Sequence, residues 1–431
     1  MTVPWRAVMH DALGVVRAAV APGKLVAAAV DALVRARPPR GVHALAVGKA
    51  STGMLEGLDD AGLPLRRVLA TMPEAQVATC RVRTHAFVRI LACDHPFASS
   101  RNVEAAREVA AFVSSTPSDD LLLVLLSGGA SAHLTLPREG LSLDELLAVS
   151  RTLMQGGASI RELNACRKRL ETLKGGGLAR LRPEGRTEVL VLSDVIGDPL
   201  DVIGSGPFTP DATPPDVALV AFDRFMPRGE HGAVRRMLEE PSAAAGGGDA
   251  CFDHVTHRVI ANNDLAVDAA VEALVSRGVE VRDACRRCEG SVSSWARLLL
   301  GAMEGPATRA RAWVVGGEPV VEVGDATGVG GPSQELALTL ATELDGRAGW
   351  MAATFSTDGI DGPTHAAGAI VDGSTCGRAR ARGLDPRHAL ATHDSTRALE
   401  AAGDLVVTGP TGTNVNHVAM LLRFPETVTP R

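Results

Sequence analysis

Short, wholly apolar runs that stop at glycine-rich polar turns recur along this chain, and that recurrence restricts its fold more than any other feature. The clearest case is Val189-Leu190-Val191-Leu192, which has the length and branching of a strand buried on both faces of a parallel sheet. It ends at Ser193-Asp194 and gives way to a stretch carrying Gly197, Asp198, Pro199, Asp201, Gly204, Gly206 and Pro207. An acidic, glycine-rich loop is thus expected at the carboxyl end of a central strand, which is where open α/β sheets place their ligands. Asp194 and Asp198 lie four apart and can face one site, as carboxylates holding Mg²⁺ beside a phosphate would. The same two residues also read as ordinary turn-forming aspartates.

Other exits repeat the pattern. Val42 to Val47 runs into Gly48-Lys49-Ala50-Ser51, where a lysine and a helix N-terminus suit a phosphate, although this is no GxxxxGK[ST] loop. Ile90-Leu91-Ala92 leads to Cys93-Asp94-His95-Pro96, a polar turn. Leu121 to Leu126, the most apolar run, opens into Ser127-Gly128-Gly129-Ala130-Ser131, whose backbone N–H groups and two hydroxyls form a nest for an anion; close helix–strand packing also calls for such glycines. Helices are expected over 5–36, 103–113, 143–154, with Ser142 and Glu145 as a capping box, and 160–174. The last carries Arg161, Arg167, Lys168, Arg169 and Lys174, a basic run that reads either as a solvated face or as a lining for an anionic site. Residues 215–245 read as helix that degrades into a flexible Ser242–Gly248 linker.

Val259-Ile260-Ala261 and Val279-Glu280-Val281 are further strands, so the first part is a series of βα units with a parallel sheet. A second domain is expected from 285 to 431, after a first of 1–284. It holds the runs Trp313–Glu318 (ending Gly-Gly-Glu), Val320–Val323 as a hairpin partner, Trp350–Ser356 before Thr357-Asp358-Gly359, and Leu405–Val407 before a loop reaching Asn414. The recurrence of polar exits in both parts points to a polar cleft.

At 431 residues the chain exceeds one core, and 45% hydrophobic with 22% charged residues is an ordinary globular composition. A net charge of −6 gives no sign of nucleic-acid or anionic-membrane binding, no run is long enough to span a bilayer, and no targeting segment is visible. A cytoplasmic location is the expectation. Seven cysteines are scattered; only Cys285 and Cys288 make a CxxC, which reads as two incidental thiols or a redox pair.

Eight stretches in order carry a resemblance: VGKAS (47–51), LLSGGASA (125–132), NACRKRLETLKGGGLA (164–179), LSDVIGDPLDVIGSGP (192–207), GGEPVV (316–321), GGPSQELAL (330–338), STDGIDGPT (356–364) and TGPTGTNVN (408–416). With them the chain resembles the glycerate 2-kinase family, whose C-terminal part is the MOFRL domain. The resemblance implies an α/β fold, with an N-terminal Rossmann-like parallel-sheet domain, a smaller α/β C-terminal domain and the site in the cleft between them. It implies transfer of the γ-phosphoryl group of ATP, with Mg²⁺, to the 2-hydroxyl of D-glycerate, and it allows a homodimer. On this likeness Lys49 and Asp194 are the catalytic candidates. Asp194, Asp198 and Asp358 are the metal candidates; Ser127, Gly128, Gly129, Ser131, Arg169, Glu318 and Asn414 are those for substrate or phosphate. The substrate carboxylate is expected on the Ser127–Ser131 nest or near Arg169.

The chain departs from the family pattern at Pro332, which stands where the family carries an arginine regarded as a second catalytic cation. His365 and His417 replace residues that are commonly acidic, and Phe97-Ala98-Ser99 replaces a Pro-Asp-Glu continuation. Two alternatives are a kinase of a related hydroxy acid and a non-catalytic paralogue that binds its ligand without turnover. A hydroxypyruvate reductase, a third, is disfavoured because no GxGxxG follows a strand.

Overall fold

Six strands, β1 (Val42–Val47), β2 (Leu65–Pro73), β3 (Phe87–Cys93), β4 (Leu121–Leu126), β5 (Thr187–Leu192) and β6 (Val255–Ala261), form one sheet in the order β3-β2-β1-β4-β5-β6 in the computed structural model. The structure describes residues 4–82, 87–227, 229–240, 249–301, 308–324 and 326–425, so the expected Ser242–Gly248 linker lies outside the described residues. Pairing is parallel from β3 through to β5. Every residue of β1, β4 and β5 is buried, which is why these runs are continuously apolar rather than alternating. The order reverses at β1 and β4, the doubly wound arrangement in which chain direction leaves a crevice at the carboxyl ends. β5 is therefore not central: the organising pair is β1 and β4.

A second sheet has six strands, β7 (Glu280–Ser291), β8 (Arg311–Val320), β9 (Trp350–Ser356), β10 (Gly368–Asp372), β11 (Leu405–Val406) and β12 (His417–Arg423), ordered β11-β10-β9-β12-β8-β7. It is mixed: β7 and β8 are parallel, and the other neighbouring pairs are antiparallel. The expected hairpin of Val320–Val323 on the preceding run does not form; β8 pairs with β12 and β7 instead. β2, β10 and β12 are not among the strands expected from sequence, although β12 carries the apolar run Val418–Leu422. In β7, Cys285 and Cys288 are joined as a disulfide across a bulge, with Arg287 in the left-handed region at φ +58°.

The chain divides into two compact units, Pro22–Ile260 and Met1–Ala21 with Ala261–Arg431. The boundary expected at 284/285 is thus corrected, because it falls inside β7. The helix Asn263–Ser276 packs on β7 and β8, and the helix Trp5–Ala19 packs on that helix. The stretch 5–36 is accordingly two helices, Trp5–Ala19 and Pro22–Ala36, assigned to different units. Among the described residues no single helix is long and apolar enough to cross a membrane.

In the parallel-sheet unit one core gathers Leu45, Leu122, Val124, Val189 and Phe208 about the sheet. A second packs Leu146, Leu153, Leu163 and Leu170 against Phe222 and Leu238, forming a helical layer. The basic helix ends at Leu170, four residues earlier than expected, because Glu171 takes up a bridge with Pro137. Of the charges in the basic run, Lys168 pairs with Asp201 and Asp211 at 3.2 Å, and buried Lys174, beyond the helix end, pairs with Glu171. The other unit's core centres on Trp295, Leu336, Leu340, Leu399 and Leu421.

Candidate active site

The exits of β1 and β4 are laced together. The Lys49 N–H donates to the Gly128 carbonyl at 2.8 Å, and the Ser127 N–H to Val47 at 3.0 Å. The Ser127 hydroxyl accepts the Ala50 N–H at 3.1 Å and approaches the Val47 carbonyl at 3.4 Å. Gly48 sits at φ +123°, and a Cβ there would fall on that hydroxyl. Ser127 is wholly buried, so its side chain is a strap between two loops and not the ligand-binding hydroxyl expected from sequence.

Beyond the strap the backbone is bare. A Cβ on Gly128 would run into the Asp194 carboxylate, which therefore stands directly against that glycine at the exit of β5. A Cβ on Gly129 (φ +85°) would lie 3.0 Å from Lys49 Cγ and 3.2 Å from His95 Cδ2. Lys49, Gly128, Gly129 and Asp194, expected from sequence, thus meet at the point where strand order reverses. His95, which sequence reasoning passed over as part of a polar turn, joins them. The signal was its place at a strand exit like the others.

Electrostatics favours one cation here. Burial, and then Lys49, lower the His95 imidazole to about 4. His133, wholly buried behind the nest, is lowered to about 4 by burial first and His95 next. Its Nδ1 lies 3.1 Å from the Thr71 hydroxyl, and its Nε2 has no hydrogen-bond partner. Burial pushes the neighbouring Cys93 thiol up to about 12, so it is inert as a nucleophile.

Two further expectations fare differently. The Ser131 hydroxyl lies 2.9 Å from that of Ser205, which donates to buried Asn164 at 3.0 Å, while Lys174 donates to the Ser131 carbonyl at 2.8 Å. Arg169 is turned away: its guanidinium donates to the carbonyls of Leu238 and Glu240, both at 2.9 Å, closing the helix Gly232–Glu239. Arg169 is therefore a structural cation, which leaves the glycine nest of the two places expected for the substrate carboxylate. Asp198 occupies a turn with left-handed backbone at φ +55°. Among the described residues no three His, Cys, Asp or Glu side chains are grouped to hold a metal ion. Mg²⁺ usually takes only one or two carboxylates and completes its shell with phosphates and water, so Asp194 beside a bare glycine fits a nucleotide-borne ion.

A cavity of about 780 Å³ opens at the amino ends of β4, β5 and β6, where Arg37, Arg40, Asp119, Asp120 and Arg186 supply both signs of charge. It has no glycine-rich exit and lies away from the strand ends where Lys49 and Asp194 meet.

The D-glycerate 2-kinase of Thermotoga maritima is 37% identical over 330 residues, 75% of this chain and 77% of that protein. The chain belongs to the glycerate 2-kinase family. Residues 8–239 match a family model described as a domain of unknown function, DUF4147, and residues 311–417 match the MOFRL family. A provisionally named hydroxypyruvate reductase of Agrobacterium vitis is 36% identical over 88% of this chain and 98% of its own length. The crystal structure of Thermotoga maritima glycerate kinase superposes with a TM-score of 0.85 at 32% identity, covering 97% of this chain and 99% of that one.

In the MOFRL part, the family departure at Pro332 has a structural setting. Pro332 is the first residue of the helix Pro332–Glu343, a position that proline's fixed φ and missing N–H suit. The helix is capped from outside by buried Asp361, which accepts from the Ser333 and Gln334 N–H groups at 2.9 and 2.7 Å. Burial raises the Asp361 carboxyl, and His417 and these donors oppose the rise. His417 Nδ1 lies 2.8 Å from the Ser333 hydroxyl, so this replacement joins the helix entry. Of the expected ligand groups in this unit, Asp358 Oδ1 accepts from Ser356 and from the Ile360 N–H, Asn414 Oδ1 accepts the Asn416 N–H, and Glu318 is exposed on β8.

Proposed function

We propose that this chain is an ATP-dependent glycerate 2-kinase, making 2-phosphoglycerate from D-glycerate. The observation that carries the reading is the meeting of Lys49 and Asp194 over bare Gly128–Gly129 at the β1/β4 switch. Phosphoryl transfer asks little covalent chemistry of a protein; it asks for positioning and for cancellation of charge. Lys49 supplies the cation for the transferred phosphoryl group, and the side-chain-free backbone lets its oxygens approach N–H donors. Asp194 orients the acceptor hydroxyl and is the carboxylate best placed to hold Mg²⁺, with Asp198 on the same loop. Magnesium, when bound with the nucleotide, neutralises charge on the β- and γ-phosphates. In the other unit we assign Asp358 to metal and Glu318 and Asn414 to ligand binding.

The test is ADP formation by purified protein with Mg²⁺-ATP and D-glycerate, with identification of the product isomer. Glycerate-dependent turnover that is lost in Lys49→Ala and yields 2-phosphoglycerate is the expected result. Product phosphorylated at the 3-hydroxyl, or turnover unaffected by Lys49→Ala, refutes the assignment.

A reductase reading has one observation in its favour beyond the Agrobacterium relative, the strand order itself, which dinucleotide-binding domains share. The β1 exit argues against it, since Gly48-Lys49-Ala50-Ser51 puts Ala50 where that fingerprint needs its second glycine. Oxidation of NADH or NADPH with hydroxypyruvate would establish the reductase.

A further inference from the structure

His95 has no part in the chemistry assigned above, yet its placement is tightly determined. The turn that carries it is held by Asn102, which is fully buried and uses all of its hydrogen-bonding capacity there. Its Oδ1 accepts the N–H groups of Asp94 and Ser99 at 3.1 Å, and its Nδ2 donates to the carbonyls of Asp94 and Ala132 at 2.9 Å. One side chain therefore ties the β3 exit to the residues that follow the glycine nest. Within that frame the His95 ring and the Lys49 stem flank the same point, with His95 Cδ2 and Nε2 at 3.2 and 3.6 Å and Lys49 Cγ at 3.0 Å from a Cβ built on Gly129. A lysine stem has four rotatable bonds, and leaving it unbraced spreads the ammonium over many rotamers.

We propose that His95 is a positioning residue of the phosphoryl-transfer site, its ring fixing the direction of the Lys49 side chain over Gly129. This rests on the reading of Lys49 as the cation that meets the phosphoryl group. A ring that stays uncharged at neutral pH does this without repelling the ammonium, and the lowered His95 value agrees.

Steady-state kinetics of His95→Ala and His95→Gln provide the test. Loss of the brace is expected to lower kcat roughly 10- to 100-fold in His95→Ala, with KM for both substrates within about two-fold of wild type. His95→Gln, which refills the space with an uncharged polar group, is expected to recover most of the rate. An independent readout is labelling of Lys49 by pyridoxal phosphate and borohydride, located by peptide mapping. His95→Ala is expected to label several-fold more slowly than wild type, and His95→Gln at nearly the wild-type rate. Unchanged kcat, a loss confined to KM, or no recovery in His95→Gln overturns the proposal. An inactive wild type refutes the kinase reading instead; labelling then decides the role of His95, and equal labelling in all three proteins overturns it.

Discussion

The Lys49 N–H donates to the carbonyl of Gly128 at 2.8 Å, so the candidate catalytic lysine and the candidate anion nest are registered to one another through the backbone. The bond joins the carboxyl ends of β1 and β4, the two strands between which the sheet reverses its order. Any ligand in the crevice is thereby met by one cationic side chain and one stretch of bare backbone whose spacing the sheet sets.

Gly128→Ala tests the steric half of this relationship. Gly128 has no positive φ to lose, but its new methyl group would fall on the Asp194 carboxylate. Displacing that carboxylate by about 1 Å is expected to lower kcat roughly 100-fold while the far-ultraviolet circular dichroism stays that of wild type. Wild-type turnover in Gly128→Ala would remove Asp194 from the site.

Ser127→Ala tests the strap. It leaves the Ala50 N–H buried without its acceptor, a loss of roughly 1–3 kcal/mol. A lower unfolding midpoint in chemical denaturation is the expected outcome, and KM for D-glycerate should change little because the hydroxyl faces inward. A large rise in KM with unchanged stability would return Ser127 to the ligand.

His133 makes stability depend on pH in a defined direction. Its folded value of about 4 lies below the ordinary 6.5, so between these limits the unfolded chain takes up a proton that the folded chain refuses. Its contribution is complete above about pH 6.5 and is lost as pH falls towards 4, by up to about 3 kcal/mol. Unfolding free energies near pH 7 and pH 5 should therefore differ less in His133→Gln than in wild type. Equal slopes would show that the imidazole is not held uncharged.

Asp361→Ala should destabilise the MOFRL part more than it affects the parallel-sheet unit. It removes the acceptor for the Ser333 and Gln334 N–H groups and for Gln334 Nε2, together roughly 2–4 kcal/mol. Asp361→Asn, which keeps one acceptor oxygen, should lose less. Hydrogen exchange of the amides in Pro332–Glu343 reports the change, and undiminished protection would rule out the cap.

Much of the parallel-sheet unit was legible because its strands are buried on both faces and so write themselves as uninterrupted apolar runs: β1, β4 and β5 fall where those runs stand. The Ser142–Glu145 capping box formed as expected, since a cap is decided within four residues. β2 was not legible, because Leu65-Arg66-Arg67 at its start carries charge beside its apolar end. The basic run 161–174 misled in the matter of Arg169, because charge on a helix does not say which way each side chain points.

By itself, then, the sequence determined the fold class, the strand-and-loop units and the family, all of which rest on local pattern and on residues met in order. Only the tertiary structure decided that β1 and β4 are neighbours, that Ser127 and Arg169 are committed inside the protein, and that His95 and Lys49 flank Gly129. Those facts depend on contacts between residues far apart in the chain, where hydrogen bonds and packing across the sheet, not neighbouring residues, select the partner.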